Sequence, residues 1–149
     1  MIKKTKKQIE QGPNQRELDD ALVAIIMNTK RKKRKFNPLE VADKIKIAKD
    51  ELGSLSKIGE RIDLSSEMLR QIYSVRNCSE EVKKLIRDRK LESYDILHRI
   101  SKLPSNKQMK VAEAVMSGEL NSEDVRAIVS FYKDFHSGIS IGKAIERIK

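Results

Sequence analysis

A chain of 149 residues with 38% apolar and 36% charged side chains suits one domain with arms, a modest core and a heavily solvated surface. Aromatic residues make up 4% with no Trp, which excludes rows of stacking aromatics for single-stranded nucleic acid, and no apolar run approaches the ~18 residues of a membrane span. The formal charge is +10 and the pI about 9.7, a balance that points to a polyanionic partner.

The charge is unevenly spread. Residues 1–37 hold 11 basic against 4 acidic side chains, a net +7, which leaves +3 for residues 38–149. The single cysteine, Cys78, cannot form an internal disulfide, which fits a reducing compartment. The start MIKKTKK lacks the apolar segment of a signal peptide, so a soluble cytoplasmic protein with no membrane contact is expected.

Taken in order, Met1 to Asn14 is polar, basic and interrupted by Gly12-Pro13, the pattern of a mobile tail. From Gln15 the pattern changes. Leu18, Ala21, Leu22, Ile25 and Ile26 follow the spacing of an apolar helical stripe, with Glu17, Asp19 and Asp20 in the first turns, as the helix dipole favours. Lys30, Arg31, Lys32, Lys33, Arg34 and Lys35 then place six like charges side by side, which disfavours packing and reads as a linker or arm. In a DNA binder such an arm adds salt-sensitive affinity for phosphates without sequence choice, and in a eukaryotic source the same run would read as a nuclear import signal. With Asn37 as N-cap, Pro38 opens a helix, PLEVADKIKIAKDEL, that turns Leu39, Ala42, Ile45, Ala48 and Leu52 to one face and stops at Gly53.

Leu55 to Val75, LSKIGERIDLSSEMLRQIYSV, reads as two short helices joined by a tight turn. Gly59 is small enough to let a second helix cross closely above it, Asp63 falls where the turn needs a residue tolerant of positive φ, and Leu69 plugs the angle between the helices. These offsets describe a DNA-binding helix-turn-helix, whose second helix enters the major groove. With Leu69 and Ile72 inward, Ser66, Glu67, Arg70, Gln71 and Ser74 fall on the outer side of that helix. Arg70 matches guanine O6 and N7 and Gln71 adenine N6 and N7, while Glu67 either accepts from cytosine N4 or repels phosphate. Ser65 and Ser66 lie at the helix N-terminus, where amides and hydroxyls favour anions, and Lys57 and Arg76 are flanking phosphate contacts. The plain alternative for each is a solvated helix residue.

Further on, Ser79 caps EEVKKLIRDRK with Val82, Leu85 and Ile86 inward, and Ser93 caps a helix that buries Ile96, Leu97 and Ile100. Pro104 closes that segment. A helix begins at Ser105 or Asn106 and ends at Gly118, Asn121 caps SEDVRAIVSFYKDF, which ends near Gly138, and SIGKAIERIK carries Ile141, Ile145 and Ile148 at helical spacing. No segment alternates with period two. The expectation is an all-α protein of about eight helices: a basic arm over 1–37, a multi-helix domain with the helix-turn-helix over 38–137, and a short C-terminal helix over 138–149.

The stretch KIGERIDLSSEMLRQIYSVRNCSEEVKKLIRDRKL resembles the helix-turn-helix domain of the ParB family of partition proteins, which includes repressors of the KorB type. Shared features are a scanning helix, a turn, a Ser-rich start of the recognition helix, and a Pro-Glu-Glu-Val segment leading to Lys-Leu. Here Ser79 replaces the proline, Glu80, Glu81 and Val82 follow, and Lys90-Leu91 closes the segment. Leu103, Pro104, Gly118, Leu120 and Val125 continue the match, which covers roughly residues 38–130. Asp95 stands where the family has histidine, Asp63 where it has the turn glycine, and Gly59 where it has alanine. The resemblance implies double-stranded DNA as partner, a homodimer on a two-fold site, a partition-type ATPase as possible partner and nucleoid association. The family's nucleotide-binding domain is expected to be missing, since 37 residues are too few for it.

Catalytic, cofactor and metal sites find no candidates. His98 and His136 lack companions at metal-ligand spacing, and Cys78 lacks a paired cysteine or nearby histidine. Gly138 to Ala144 has three residues between its glycines where a phosphate loop needs four, and Ala144 where Ser or Thr would hold Mg²⁺. The leading expectation is therefore a sequence-specific DNA-binding protein for partition or repression. The other is a protein-interaction adaptor that docks a partner on the helix at 15–28. That helix and the Ile145/Ile148 face are the candidate dimer contacts.

Overall fold

A computed structural model describes the backbone of residues 2–30, 34–135 and 140–148 and the side chains of 14–30, 34–133 and 140–147. Among the described residues the protein is all helical, without a strand: α1 (Ile2–Asn28), α2 (Pro38–Leu52), α3 (Leu55–Ile62), α4 (Ser66–Tyr73), α5 (Glu80–Arg87), α6 (Tyr94–Ser101), α7 (Ser105–Met116), α8 (Ser122–Phe135) and α9 (Ile141–Ile148). A 3₁₀ turn, Ser74–Asn77, follows α4. The all-α class is as expected, with nine α-helices among the described residues where eight were counted from sequence.

The chain packs as two compact units, one of residues 1–36 and 40–73, the other of residues 37–39 and 74–149. In the first, α1 starts at Ile2, so the tail expected over 1–14 is corrected to helix. Its Lys, Gln and Glu residues lose little rotamer freedom in a helix, and Pro13 lies within it, where its missing N–H leaves the Ile9 carbonyl without its usual helical donor. Leu18, Ala21, Leu22 and Ile25 are buried as the stripe required, and so are Val41, Ala42, Ile45, Ala48, Ile58, Ile62, Leu69 and Ile72 of the same unit. Gly53 ends α2 with its N–H on the Lys49 carbonyl at 2.7 Å.

The second unit is built on α6 packed against α8 and the 3₁₀ turn, with α7 and α9 alongside. Val75, Val82, Ile86, Leu97, Ile100, Val111 and Ile128 are fully enclosed. The caps fall where sequence placed them. Ser79 Oγ accepts from Val82 N at 3.3 Å and Ser93 Oγ from Ile96 N at 3.3 Å. Asn121 and Asp124 exchange side-chain-to-backbone bonds of 2.9 and 3.0 Å, a capping box that starts α8. One polar group is central: Gln108, 1% exposed, accepts from Ser79 N at 2.7 Å through Oε1 and donates to the Leu103 carbonyl at 2.9 Å through Nε2. It satisfies two loop ends from inside the core.

Candidate functional site

The α3–α4 pair is set by local chemistry. Ser54 starts α3 by accepting from Lys57 N at 3.2 Å. At the far end Asp63 takes the left-handed conformation (φ 55, ψ 57), with its N–H and that of Leu64 both on the Gly59 carbonyl. Gly59 is buried, and a Cβ there would run into the Leu64 carbonyl oxygen, with Leu69 Cδ1 3.7 Å away. A side chain at this position would force the turn open. Ser65 then caps α4, its Oγ accepting from Met68 N at 3.1 Å, and Leu69 and Ile72 are fully buried. Asp63 thus takes the positive φ expected of it and Leu69 is buried, while Gly59 makes room for the Leu64 carbonyl of the turn, not for a crossing helix.

The outer face of the pair carries Lys57, Ser65, Ser66, Glu67 and Arg70, all exposed, with Gln71 half-buried beside them. Arg70 is paired with Glu67 one turn earlier on the same helix, their side chains 64% and 56% exposed. The guanidinium is thus pre-oriented but shared, and a base contact would draw it from a carboxylate in water, a weak hold. Between Leu55 and Tyr73 three cations (Lys57, Arg61, Arg70) face three anions (Glu60, Asp63, Glu67), so the segment has no net charge. Arg61 was missed by the sequence reading. Its spacing of four from Lys57 was the available signal, since it places both on one side of a helix.

The basic run was expected as a linker or arm, and the described residues at its two ends are held by hydrogen bonds. Asn28, buried, donates from Nδ2 to the Ala24 carbonyl at 2.7 Å and accepts from Phe36 N at 3.0 Å, which holds the residues flanking the run beside each other. Lys30 is drawn back onto α3: its Nζ donates to the Ile62 carbonyl at 3.1 Å and lies 3.7 Å from the Asp63 carboxylate, a cation on the last carbonyls of a helix. Arg34 is half-buried and Lys35 exposed, while Arg31, Lys32 and Lys33 lie outside the described residues.

Two predicted residues belong to the second unit. Ser74, expected on the outer face of the recognition helix, is corrected: α4 ends at Tyr73, and Ser74 is half-buried in the 3₁₀ turn with Oγ 2.7 Å from His98 Nδ1. Helical periodicity could not foresee that the helix tightens there to meet a buried histidine. Arg76 is half-buried in the same turn. Cys78 is 5% exposed, its Sγ facing the Leu97 carbonyl at 3.7 Å, and burial pushes its thiol up to about 12 against a smaller lowering by Lys83. Such a thiol is not a nucleophile near neutral pH. Among the described residues no group of three or more His, Cys, Asp or Glu side chains is placed to hold a metal ion, and no helix is long and apolar enough to cross a membrane. His136 and Gly138 lie outside the described residues.

The faces considered for a dimer are largely used internally. Leu18, Leu22 and Ile25 of α1 and Ile145 of α9 are buried, and the Ile148 side chain lies outside the described ones. What stays open on α1 is the side bearing Val23, 58% exposed, next to a cleft of about 410 Å³ lined by Asp20, Ala24, Met27, Lys35, Phe36 and Lys44. Set against family models, curated proteins and solved structures, the chain finds no match.

Proposed function

We propose that the protein binds double-stranded DNA as a helix-turn-helix module of the ParB-like kind, with α4 as the reading helix, in partition or repression. The observation that carries this is the closure of the α3–α4 pair: a left-handed Asp63 four residues after a glycine that leaves no room for a Cβ. That closure leaves Ser65 at the cap and Ser66, Glu67 and Arg70 on one short helix exposed, with Gln71 half-buried beside them. Arg70 and Gln71 supply forked hydrogen-bonding groups for base edges, and the hydroxyls at the start of α4 suit a phosphate. Ser74 is no longer among the reading residues. A helix this short reads few base pairs, so a dimer on a two-fold site belongs to the proposal, and a partition-type ATPase is its natural partner.

Selection from a random duplex pool followed by gel shifts at several salt concentrations tests it. The expected result is a defined motif bound with affinity that falls steeply with salt, and Arg70→Ala narrows the preference for that motif by about 1–3 kcal/mol. Failure to enrich any sequence would overturn the proposal.

One observation favours a second reading, an adaptor without direct DNA reading. The Val23 side of α1 and the adjoining cleft present an apolar surface with Lys35 and Lys44 at its edge. The adaptor reading expects no binding to any duplex at low salt.

A further inference from the structure

The α3–α4 turn is gripped by a side chain from elsewhere in the same unit, Lys30, whose Nζ donates to the Ile62 carbonyl at 3.1 Å and lies 3.7 Å from the Asp63 carboxylate. The root of that side chain is fixed. Asn28 Nδ2 donates to the Ala24 carbonyl and Thr29 Oγ1 to the Ile25 carbonyl, both at 2.7 Å, while Thr29 N bonds to the Ile26 carbonyl at 3.3 Å. Asn28 and Thr29 are 2% and 9% exposed. The last turn of α1 thus closes on its own buried polar groups, and the ammonium of the next residue goes to α3.

A cation beside the last carbonyls of a helix has an ordinary explanation in the helix dipole. That explains the sign and not the reach. α3 has an exposed last-turn cation of its own, Arg61, yet the Ile62 carbonyl is met by a residue 32 positions earlier in the chain. The ion pair with Asp63 holds little, because that carboxylate stands in open solvent at 102% exposure. The charge-assisted bond to the carbonyl, partly buried, is the stronger hold.

Its place in the backbone matters more than its strength. The Ile62 carbonyl belongs to the peptide plane that leads into Asp63, and the N–H of the same plane bonds to the Gly59 carbonyl. The plane is therefore pinned at both ends, by α3 on one side and by Lys30 on the other. On it turns the left-handed φ of Asp63, and α4 begins three residues later at Ser66.

We propose that Lys30 is a positioning residue for the reading helix and not a phosphate contact. By pinning the Ile62–Asp63 peptide from the end of α1, it fixes the direction in which α4 leaves the turn. The proposal rests on the DNA-binding reading above and gives one cation of the basic run a part in sequence choice.

Fluorescence anisotropy with the motif duplex enriched from the random pool and with a mixed-sequence duplex, from about 50 to about 200 mM salt, tests this. The proteins are wild type, Lys30→Met, Lys30→Arg and, as an exposed control for lost charge, Lys143→Met. Lys30→Met binds the motif duplex about tenfold more weakly, the scale of one hydrogen bond to a charged group. Its affinity for the mixed-sequence duplex and both log–log salt slopes stay as in wild type. Lys30→Arg, which keeps a cationic donor, retains the preference for the motif, and Lys143→Met changes nothing. Amide hydrogen exchange reads the turn itself: the Asp63 and Leu64 N–H groups exchange about tenfold faster in Lys30→Met, and those of α7 do not. Equal losses on the two duplexes with slopes lowered by about 0.9 overturn the proposal by making Lys30 a phosphate contact. An unchanged preference for the motif overturns it too, even with a lowered melting temperature, since a merely structural strut moves stability alone. Both of these results leave the α4 reading standing. A wild type that prefers no sequence overturns the α4 reading and this role together.

Discussion

Replacing Gly59 by Ala puts two effects of opposite sign on one residue. In a helix interior alanine is favoured over glycine by about 0.8–1 kcal/mol, so propensity alone makes Gly59→Ala stabilising. The packing says otherwise. The added Cβ meets the Leu64 carbonyl oxygen, a backbone atom in a turn fixed by Asp63 in the left-handed region and by the Leu64 N–H on the Gly59 carbonyl at 3.0 Å. A flexible side chain could swing aside, but this oxygen moves only if the turn opens and α4 shifts. Overpacking of this kind costs about 1–3 kcal/mol, and a rigid obstacle belongs at the upper end. The net expectation is a loss of about 2 kcal/mol, which lowers the urea midpoint by about 1 M with an unchanged m-value. Far-UV circular dichroism reads the transition, and Ser56→Ala, at an exposed site on the same helix, serves as control with a change within about 0.5 kcal/mol. A midpoint for Gly59→Ala at or above wild type would refute the reasoning, because propensity would have outweighed the close approach of the turn.

Gln108→Leu, similar in size, leaves the Ser79 N–H and the Leu103 carbonyl without their buried partner and destabilises by about 2 kcal/mol in thermal melts. The Cys78 thiol stays unmodified by iodoacetamide at pH 8 in the folded protein and reacts once urea unfolds it. The sign of its pH effect follows from burial, which raises the folded value from 9.0 to about 12. Between those values the unfolded chain loses the proton and the folded chain keeps it, so the contribution is intact below about pH 9 and is lost as pH rises toward about 12. Cys78→Ala flattens stability against pH over that window, and an unchanged slope would show the thiol to be uninvolved.

Much of the fold was readable because the signals are local. Ser79, Ser93 and Asn121 begin helices through bonds to residues three positions on, and Gly118 ends one through its own φ; such interactions need no distant partner. Leu69 and Ile72 were legible as buried for the same reason, since a 3.6-residue repeat fixes a face whatever packs against it. At the candidate site, the same periodicity turned Glu67 and Arg70 outward together but could not show that they would pair.

The readings that changed depend on pairings across sequence. Ser74 follows the helical period of α4 yet meets His98, 24 residues on, and Lys30 looks like one cation of a solvated run yet lies on α3. Asn28 bonds to Phe36, eight residues on, and Arg89 takes a left-handed turn that its residue type disfavours. The sequence by itself determined an all-α chain, its caps and its buried faces, because those follow from the backbone repeat and from hydrogen bonds within one turn. Only the tertiary structure decided which charged and polar side chains remain available to a partner, because that depends on the residues brought beside them by packing.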